Sequence, residues 1–517
     1  MQRGEVMRDV RTAGRLFALL LLVAVSAMAI SGWATNRSGS HRGGTPARGE
    51  TFAPPPEITS RHGVLAATLT ASLVRIKVGS QEVLTRVFNE QWVPPTLRVR
   101  PGDVIRLKLR NRIDQMTNLH YHGLNVSPRR PSDDIFIHVD PGQEFDYVIT
   151  IPPDHPSGLF CYHPHAHGLT EFQTYSGMSG GLIVEGLLDP FPALRGITER
   201  VMLLKDLQVG DDGQIPPLGQ IDSNAGTTRT MNGQINPLLV IRPGEIQLWR
   251  IGNIGADIFY RLALDGHVMY EIARDGNRHT QLVPMHEILL GPSSRVEVLV
   301  RGAEQGAYQF KTLGVSTGSD GDQYPEVTLA TLASVGSPAA PVALPGPKEF
   351  PPVEDLRTRR VDQARTFRFT ENTDTNEFFI NGRKFDMNRV DTTVPLGHVE
   401  EWTILNATNE LHVFHIHQLD FQVVEIDGEP QPFVGYQDTV NMPVQRPGPN
   451  GTTVPGTVVV RIPFTNPVIA GKFVYHCHIM AHEDNGMMAV IEVTGGGGGT
   501  GSTPTTTPKP SSHRHRR

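Results

Sequence analysis

Tyr475-His476-Cys477-His478, followed by His482 and Met487, is the stretch from which the rest of the chain is read. Its pattern is H-C-H-x-x-x-H-x-x-x-x-M. On an extended strand, successive side chains point to opposite faces. His476 and His478 then share one face and Cys477 takes the other, so one strand serves two metal sites joined through a single residue. On the Cys477 side, a following loop returns His482 and Met487. Cysteine, histidine and a weak methionine ligand are parts of a blue-copper electron-transfer site that needs one more histidine. His412 meets the need: it lies three residues before His415. In an extended segment that odd offset turns it away from the His415/His417 face and toward Cys477.

Four H-x-H pairs lie inside the expected folded region: His120/His122, His163/His165, His415/His417 and His476/His478. With 21 histidines in the chain, composition alone predicts roughly one such pair. Two pairs toward each end, at matching places in a repeat, therefore carry information. Each pair sets two imidazoles on one strand face, and eight imidazoles suit a cluster of three copper ions. Imidazole serves zinc as well as copper; the Cys/His/Met set beside it favours copper. His167 extends one pair and reads as a supporting residue. His155, His267 and His398 have no partner by spacing and read as structural.

The repeat is visible in the turns. Leu97-Arg98-Val99-Arg100-Pro101-Gly102-Asp103-Val104, Leu239-Val240-Ile241-Arg242-Pro243-Gly244-Glu245-Ile246 and the weaker Thr393-Val394-Pro395-Leu396-Gly397-His398-Val399 each join two alternating strands, followed by Asn111, Asn253 or Asn406. Asn232-Gly233 and Asn381-Gly382 read as hairpin turns. Many short strands with regular turns indicate an all-β chain of three sandwiches. The expected divisions are residues 61–190, 191–345 and 346–494. The first copy keeps Tyr162-His163-Pro164-His165, with Pro164 where the third has Cys477. The middle copy has Phe259-Tyr260-Arg261-Leu262-Ala263 near the place where the others have H-x-H and reads as a copper-free spacer.

The ends read differently. Residues 1–34 hold arginines followed by an apolar run over 16–29 and Ala27-Met28-Ala29, the pattern of a signal peptide. A membrane anchor is the alternative, giving N-terminal membrane association. Residues 35–60 and 495–517 are rich in Gly, Pro, Ser and Thr, and read as a disordered linker and tail. Export implies an oxidising compartment, where two cysteines usually pair. Cys477 belongs to a ligand motif, which leaves Cys161 as a buried thiol. The net charge of -6 gives no case for nucleic acid.

Four motifs resemble the multicopper oxidases: H-Y-H-G at 120, Y-H-P-H at 162, H-V-F-H-I-H at 412 and H-C-H-I-M-A-H-E-D-N-G-M at 476. The resemblance spans the chain less its two tails. It implies three consecutive cupredoxin-like Greek-key β-sandwich domains and about four copper ions. The blue, type 1 ion would take His412, Cys477, His482 and Met487. The type 2 ion would take His120 and His415. The type 3 pair would take His122, His163, His165, His417, His476 and His478. Tyr121, Val413 and Gln418 depart from the usual Trp, Pro and Gly, and none is a ligand.

Reduction of dioxygen to water takes four electrons and four protons. Glu483 and Asp133 are, by analogy with the family, the proton-relay carboxylates, with Asp134 competing for the second place. The expected activity is oxidation of a small donor (phenols, aromatic amines or metal ions) by dioxygen. A non-catalytic copper-binding or tolerance protein and a copper nitrite reductase-like enzyme are the alternatives. No long Met-rich insert accompanies the third-copy motifs, which weakens a cuprous-oxidase reading.

Overall fold

The computed structural model describes residues 50–224 and 226–495. The signal-peptide pattern, residues 35–49 and residues 496–517 lie outside the described residues. Six of the sheets face one another in pairs, forming three β-sandwiches in sequence order. Among the described residues no helix is long and apolar enough to cross a membrane.

In the first sandwich, one sheet runs in the order Glu57–Thr59, Thr96–Val99, Gly180–Val184, Gly158–His163, His120–His122. In the third, the matching sheet is Val390–Pro395, Met488–Thr494, Gly471–Cys477, His412–Ile416, Thr439–Met442. The middle sandwich repeats this order with Leu238–Ile241, Val327–Ser334, Gly306–Leu313, Tyr260–Leu264 and Glu287–Leu290. Tyr260–Leu264 therefore occupies the place of the histidine strand His412–Ile416.

One local device recurs and delivers the chain to the histidines. Asn111, Asn253 and Asn406 are fully buried. Each side-chain oxygen accepts from the N–H two residues on: Ile113 at 3.0 Å, Gly255 at 3.1 Å and Thr408 at 3.1 Å. Each Nδ2 donates to a carbonyl farther along: Gln115, Ile258 and Glu410. This Asx corner turns the strand over toward the next sheet. In the third copy it sets His412 two residues past Glu410. The turns at Gly102, Gly244 and Gly397 all have positive φ. Asn232-Gly233 and Asn381-Gly382 have φ of 53° and 81°, and of 53° and 70°, as hairpin turns of that type need.

Residues 50–60 correct part of the linker reading. Glu57–Thr59 pairs in parallel with Thr96–Arg98, Phe52 is buried, and the Phe52 N–H donates to the Leu238 carbonyl at 3.1 Å. Pro54-Pro55-Pro56 suggested disorder. Proline, however, lacks only the donor, and the Pro56 carbonyl still accepts from Thr96 N–H at 2.8 Å.

The first and middle sandwiches meet through two glycines. A Cβ on Gly158 would lie 2.7 Å from Gly276 Cα, and one on Gly276 would lie 2.1 Å from the Phe160 ring. Gly142 has a similar positive φ (82° against 79°) but open space around it. Gly276→Ala should therefore cost about 1–3 kcal/mol more than Gly142→Ala, because only the former adds overlap to backbone strain. Denaturant titration of the two variants measures the difference; equal losses would mean the interface accommodates a methyl group.

Candidate metal centre

Strand register brings the histidines together. His120 lies opposite His163, and His415 opposite His476. Residues directly opposite in an antiparallel pair project to the same face. The two histidine-bearing sheet ends then face each other across the junction of the first and third sandwiches. The His120 ring stacks on His417, and His122 on His415, each at 3.9 Å between centroids. The second histidine of three pairs falls just past the strand end, at His165, His417 and His478. The strict strand-face picture is corrected there. Pro164, for one, has no N–H to continue a ladder.

Three groups form, each with ligand atoms within 4.8 Å of one another: His120/His122/His415, His122/His163/His478 and His165/His417/His476. Nitrogens that face inward approach without an intervening atom. His478 Nε2 lies 3.0 Å from His122 Nδ1, and His417 Nε2 lies 3.1 Å from His476 Nε2. His120, His163 and His415 each have an Nε2 with no partner.

The opposite nitrogen is held in most of the rings, although Nδ1 of His417 and of His478 has no hydrogen-bond partner. His163 Nδ1 and His476 Nδ1 lie 2.8 Å from the carbonyls of Pro164 and Cys477. His415 Nδ1 lies 2.7 Å from the Asp438 carbonyl, and His120 Nδ1 lies 3.1 Å from both Asp133 oxygens. A ring whose N–H is committed outward presents a lone pair inward. Burial, and then neighbouring imidazoles, push His122, His165, His415, His417 and His478 well below the ordinary histidine range. Burial pushes His163 and His476 down to about 3. These are neutral buried rings with unshared lone pairs, and the donor set fits copper.

A separate group holds His412, Cys477 and His482. Phe414 lies opposite Cys477 in the ladder, so His412, two residues from Phe414, shares the Cys477 face. Cys477 Sγ lies 3.5 Å from His412 Nδ1 and 3.8 Å from His482 Nδ1. Met487 is buried, and its main chain bonds both Cys477 N–H and the His482 carbonyl, at 3.0 and 2.9 Å. Phe378 stacks on His482 at 4.1 Å. His412 Nε2 meets Thr408 Oγ1 at 3.0 Å, and His482 Nε2 lies 3.5 Å from Glu410. Burial raises the Cys477 thiol; a bound cation would reverse that.

The carboxylates separate clearly. Asp133 is buried against His120, and its carboxylate also accepts from Gln418 Nε2 at 2.8 Å. Asp134 instead accepts from Phe136 N–H and lies 3.6 Å from Arg130. Glu483 is fully buried, with its oxygens 3.4 Å from His165 Nδ1 and 3.2 Å from His476 Nδ1. Burial, then Asp484, hold its carboxyl well above the usual range. His167 packs on Phe385 outside all four groups. Cys161 is a buried free thiol, pushed up to about 12 by burial.

Sequence reasoning missed Asp438, Arg295, Glu410 and Glu371. Asp438 Oδ1 lies 3.1 Å from His122 Nε2, and Arg295 of the middle sandwich pairs with Asp438. Glu371 Oε2 lies 3.7 Å from His412 Nε2. No local pattern marks any of them. Gln418 was noticed only as a departure; it adopts φ 64°, where glycine is at ease, and reaches Asp133.

Comparison with known proteins agrees with this geometry. Family models described as "Multicopper oxidase" match residues 70–188, 211–336 and 358–496. Multicopper oxidase mco of Staphylococcus haemolyticus is 28% identical over 79% of this chain and 83% of its own. A laccase of Bacillus subtilis is 25% identical over 67% of this chain and 72% of its own. The cell division protein FtsP of Photorhabdus laumondii is 27% identical over 68% and 75%. A solved multicopper oxidase from Campylobacter jejuni, described as a metallo-oxidase, superposes with a TM-score of 0.74. It is 24% identical and covers 86% of this chain and 96% of that one.

The buried groups set the acid stability of the metal-free protein. His163, His412 and His476, pushed down to about 3 by burial, take up protons more readily unfolded than folded. Each costs stability as pH falls below about 6.5. Glu171 and Glu410, pushed up to about 9, and Glu371 and Asp257, up to about 7, all by burial first, act oppositely. Their stabilisation grows on acidification until the unfolded chain is itself protonated near about pH 4.5. The two sets oppose one another between about pH 6.5 and 4.5; below that the histidines keep costing about 1.4 kcal/mol per pH unit each, joined by carboxylates held low in the fold, such as Glu271 at about 2. The denaturant midpoint of metal-free protein should change little across the upper window and drop steeply below about pH 4.5. A midpoint that keeps rising to about pH 3 would contradict the assignment of these rings as neutral.

Proposed function

Since this chain belongs to the multicopper oxidase family, copper-dependent oxidoreductases that take oxygen as acceptor, we propose that it couples one-electron oxidation of a small donor to the four-electron reduction of dioxygen to water. The observation that carries this reading is the thiol-bearing group His412/Cys477/His482 joined to the imidazole groups through the backbone of His476-Cys477-His478. In this reading His412, Cys477, His482 and the axial Met487 hold type 1 copper. His120 and His415 hold type 2 copper. His122, His163, His165, His417, His476 and His478 hold the type 3 pair. Copper, when bound, supplies one-electron chemistry at the first site and oxygen reduction at the cluster.

The donor meets the protein at His482. Its side chain is 8% exposed, while that of His412 is fully buried. The Phe378 ring covers one face of the imidazole, and Glu410 lies 3.5 Å from its Nε2. Phenols, aromatic amines and metal ions are the donor classes. Glu483 holds a proton between His165 and His476, and Asp133 is the acceptor behind His120. The apolar and small-residue pattern within residues 1–34 supports export. The divisions at residues 61–190, 191–345 and 346–494 are read as the three domains. Similarity to cell division proteins is the observation behind a second reading, a non-catalytic role on the same fold. The full complement of inward-facing imidazoles and the thiol supports the oxidase.

Copper-loaded protein should bind about four ions and be blue. Cys477→Ser should lose the colour, one ion and donor oxidation, and keep most of the remaining copper. A colour lost on Cys161→Ser instead would refute the thiolate assignment. Oxygen uptake with a phenolic or aromatic amine donor separates oxidase from carrier.

Glu483→Gln keeps the size of the side chain and removes its ionisable group. Anaerobic bleaching by the donor should proceed at a near-normal rate, and return of colour on admitting oxygen should slow about 100-fold. Slow bleaching would instead make Glu483 a support of His482, and normal return would remove it from the proton path.

A further inference from the structure

We propose that Arg295, which belongs to the middle sandwich, is a positioning residue for the three-copper cluster: through Asp438 it determines which nitrogens of His122 and His415 face the metal. The inference rests on the copper reading above and assigns the middle sandwich a part in building the site.

Arg295 begins the strand Arg295–Arg301 and is fully buried. Its guanidinium spans both oxygens of Asp438, with NH1 to Oδ1 at 2.9 Å and NH2 to Oδ2 at 2.6 Å. Nε donates to the Leu159 carbonyl of the first sandwich at 3.3 Å, and NH1 also donates to the Ser293 carbonyl at 2.8 Å. All three sandwiches therefore meet at this side chain. Burial alone would lower its basicity, but Asp438 and Asp275 outweigh that and keep it charged. Asp275 Oδ1 accepts from the Arg295 N–H, and Asp275 Oδ2 accepts from the N–H and hydroxyl of Thr439, next to Asp438. The loop that carries Asp438 is thus tied to the middle sandwich on both sides of the ion pair.

Asp438 acts on two imidazoles by two different atoms. Its Oδ1 lies 3.1 Å from His122 Nε2, and its main-chain carbonyl lies 2.7 Å from His415 Nδ1. With those nitrogens carrying the protons, His122 Nδ1 and His415 Nε2 are the free donors. They are the atoms that face the cluster: His122 Nδ1 is 3.0 Å from His478 Nε2, and His415 Nε2 has no other partner. A forked guanidinium fixes the plane of a carboxylate as well as its charge; an ammonium on a flexible stem does not. Removing the fork frees the Asp438 side chain to turn, so His122 loses its outward anchor directly, and the main-chain carbonyl that holds His415 loses one of the two ties that fix its loop to the middle sandwich. Partners of this kind change metal affinity by about 10–100-fold in other metal sites.

A purely structural role is the competing account, and Arg250 provides the comparison. It lies in the neighbouring strand of the same sheet, is equally buried, and pairs with Glu297 and Glu199 without reaching the histidines. Arg295→Met, Arg295→Lys and Arg250→Met would be loaded with copper alone and compared with the parent. Metal analysis gives the total, and electron paramagnetic resonance gives the ratio of type 2 to type 1 copper. The blue absorption reports an intact third sandwich. The expected result is a blue Arg295→Met protein with the type 2 signal largely lost and total copper at least halved. Arg295→Lys should need about tenfold more free copper to fill the cluster. Arg250→Met should keep the parent's ratio.

A blue Arg295→Met protein with full copper and an unchanged ratio would overturn the proposal, as would equal losses in Arg250→Met. If Arg295→Met is not recovered folded, an unchanged copper titration of Arg295→Lys overturns it. A parent protein that binds a single ion would instead refute the copper reading itself.

Discussion

Much of this site depends on one constraint: a buried neutral imidazole points a defined lone pair at a metal when its other nitrogen has a fixed partner for its proton. Five of the rings meet it in two ways, while Nδ1 of His417 and of His478 has no hydrogen-bond partner. His163 and His476 use the main-chain carbonyl of the next residue, Pro164 or Cys477, so these rings are set by their own strands. His120, His122 and His415 rely on Asp133 and Asp438, which lie 13 or more residues away in sequence. The first kind of support forms with the sheet. The second needs loops to fold back within a sandwich, as Asp133 does to His120 and Asp438 to His415, and only the His122–Asp438 contact waits for the sandwiches to dock.

The two metal sites are therefore joined in structure but different in surroundings. The Cys477 group sits within one sandwich, and its histidines lie on the strand His412–Ile416 and a short helix, Met480–Asp484. The imidazole cluster sits between sandwiches and draws half its rings from each. That helix also bridges them: Asp484 accepts from the N–H groups of Gly168 and Glu171 at 2.7 and 2.9 Å, capping the helix Thr170–Ser176 from across the junction. Glu483, one residue earlier, reaches the cluster. A single short helix thus carries a donor-site histidine, a cluster-facing carboxyl and a docking contact.

The middle sandwich keeps the strand order of its neighbours without their histidines. Tyr260–Leu264 holds the place of the histidine strand and supplies apolar packing. Its sheet register and its buried tryptophan, Trp249, still parallel Trp402 of the third copy, each with its indole N–H bonded to a side chain two residues before. Its contribution to the site comes from another edge, through Arg295 and Asp275. Reading it as a spacer accounts for the missing histidines and overlooks the charged residues.

The sequence by itself determined the three-fold repeat, the all-β sandwich class and the two groups of side chains that could hold metal. These follow from short-range rules: the two-residue period of a strand, the conformations open to Asn-Gly and Pro-Gly turns, and the spacing of ligands on adjacent positions. His412 was assigned to the Cys477 side from an offset of three alone, and the ladder pairing Phe414 with Cys477 places it there. Tertiary structure alone decided the partners that orient the rings. Asp133 could be told from Asp134 only when one turned toward His120. Asp438 and Arg295 lie 143 residues apart in sequence and carry no motif. The physical reason is that a ligand's type is a property of its side chain, whereas the second atom that fixes its tautomer need only be near in space. Proximity of that kind is created when a loop folds back within one sandwich, as for Asp133 and His120, or when separate sandwiches dock, as for Asp438 and His122.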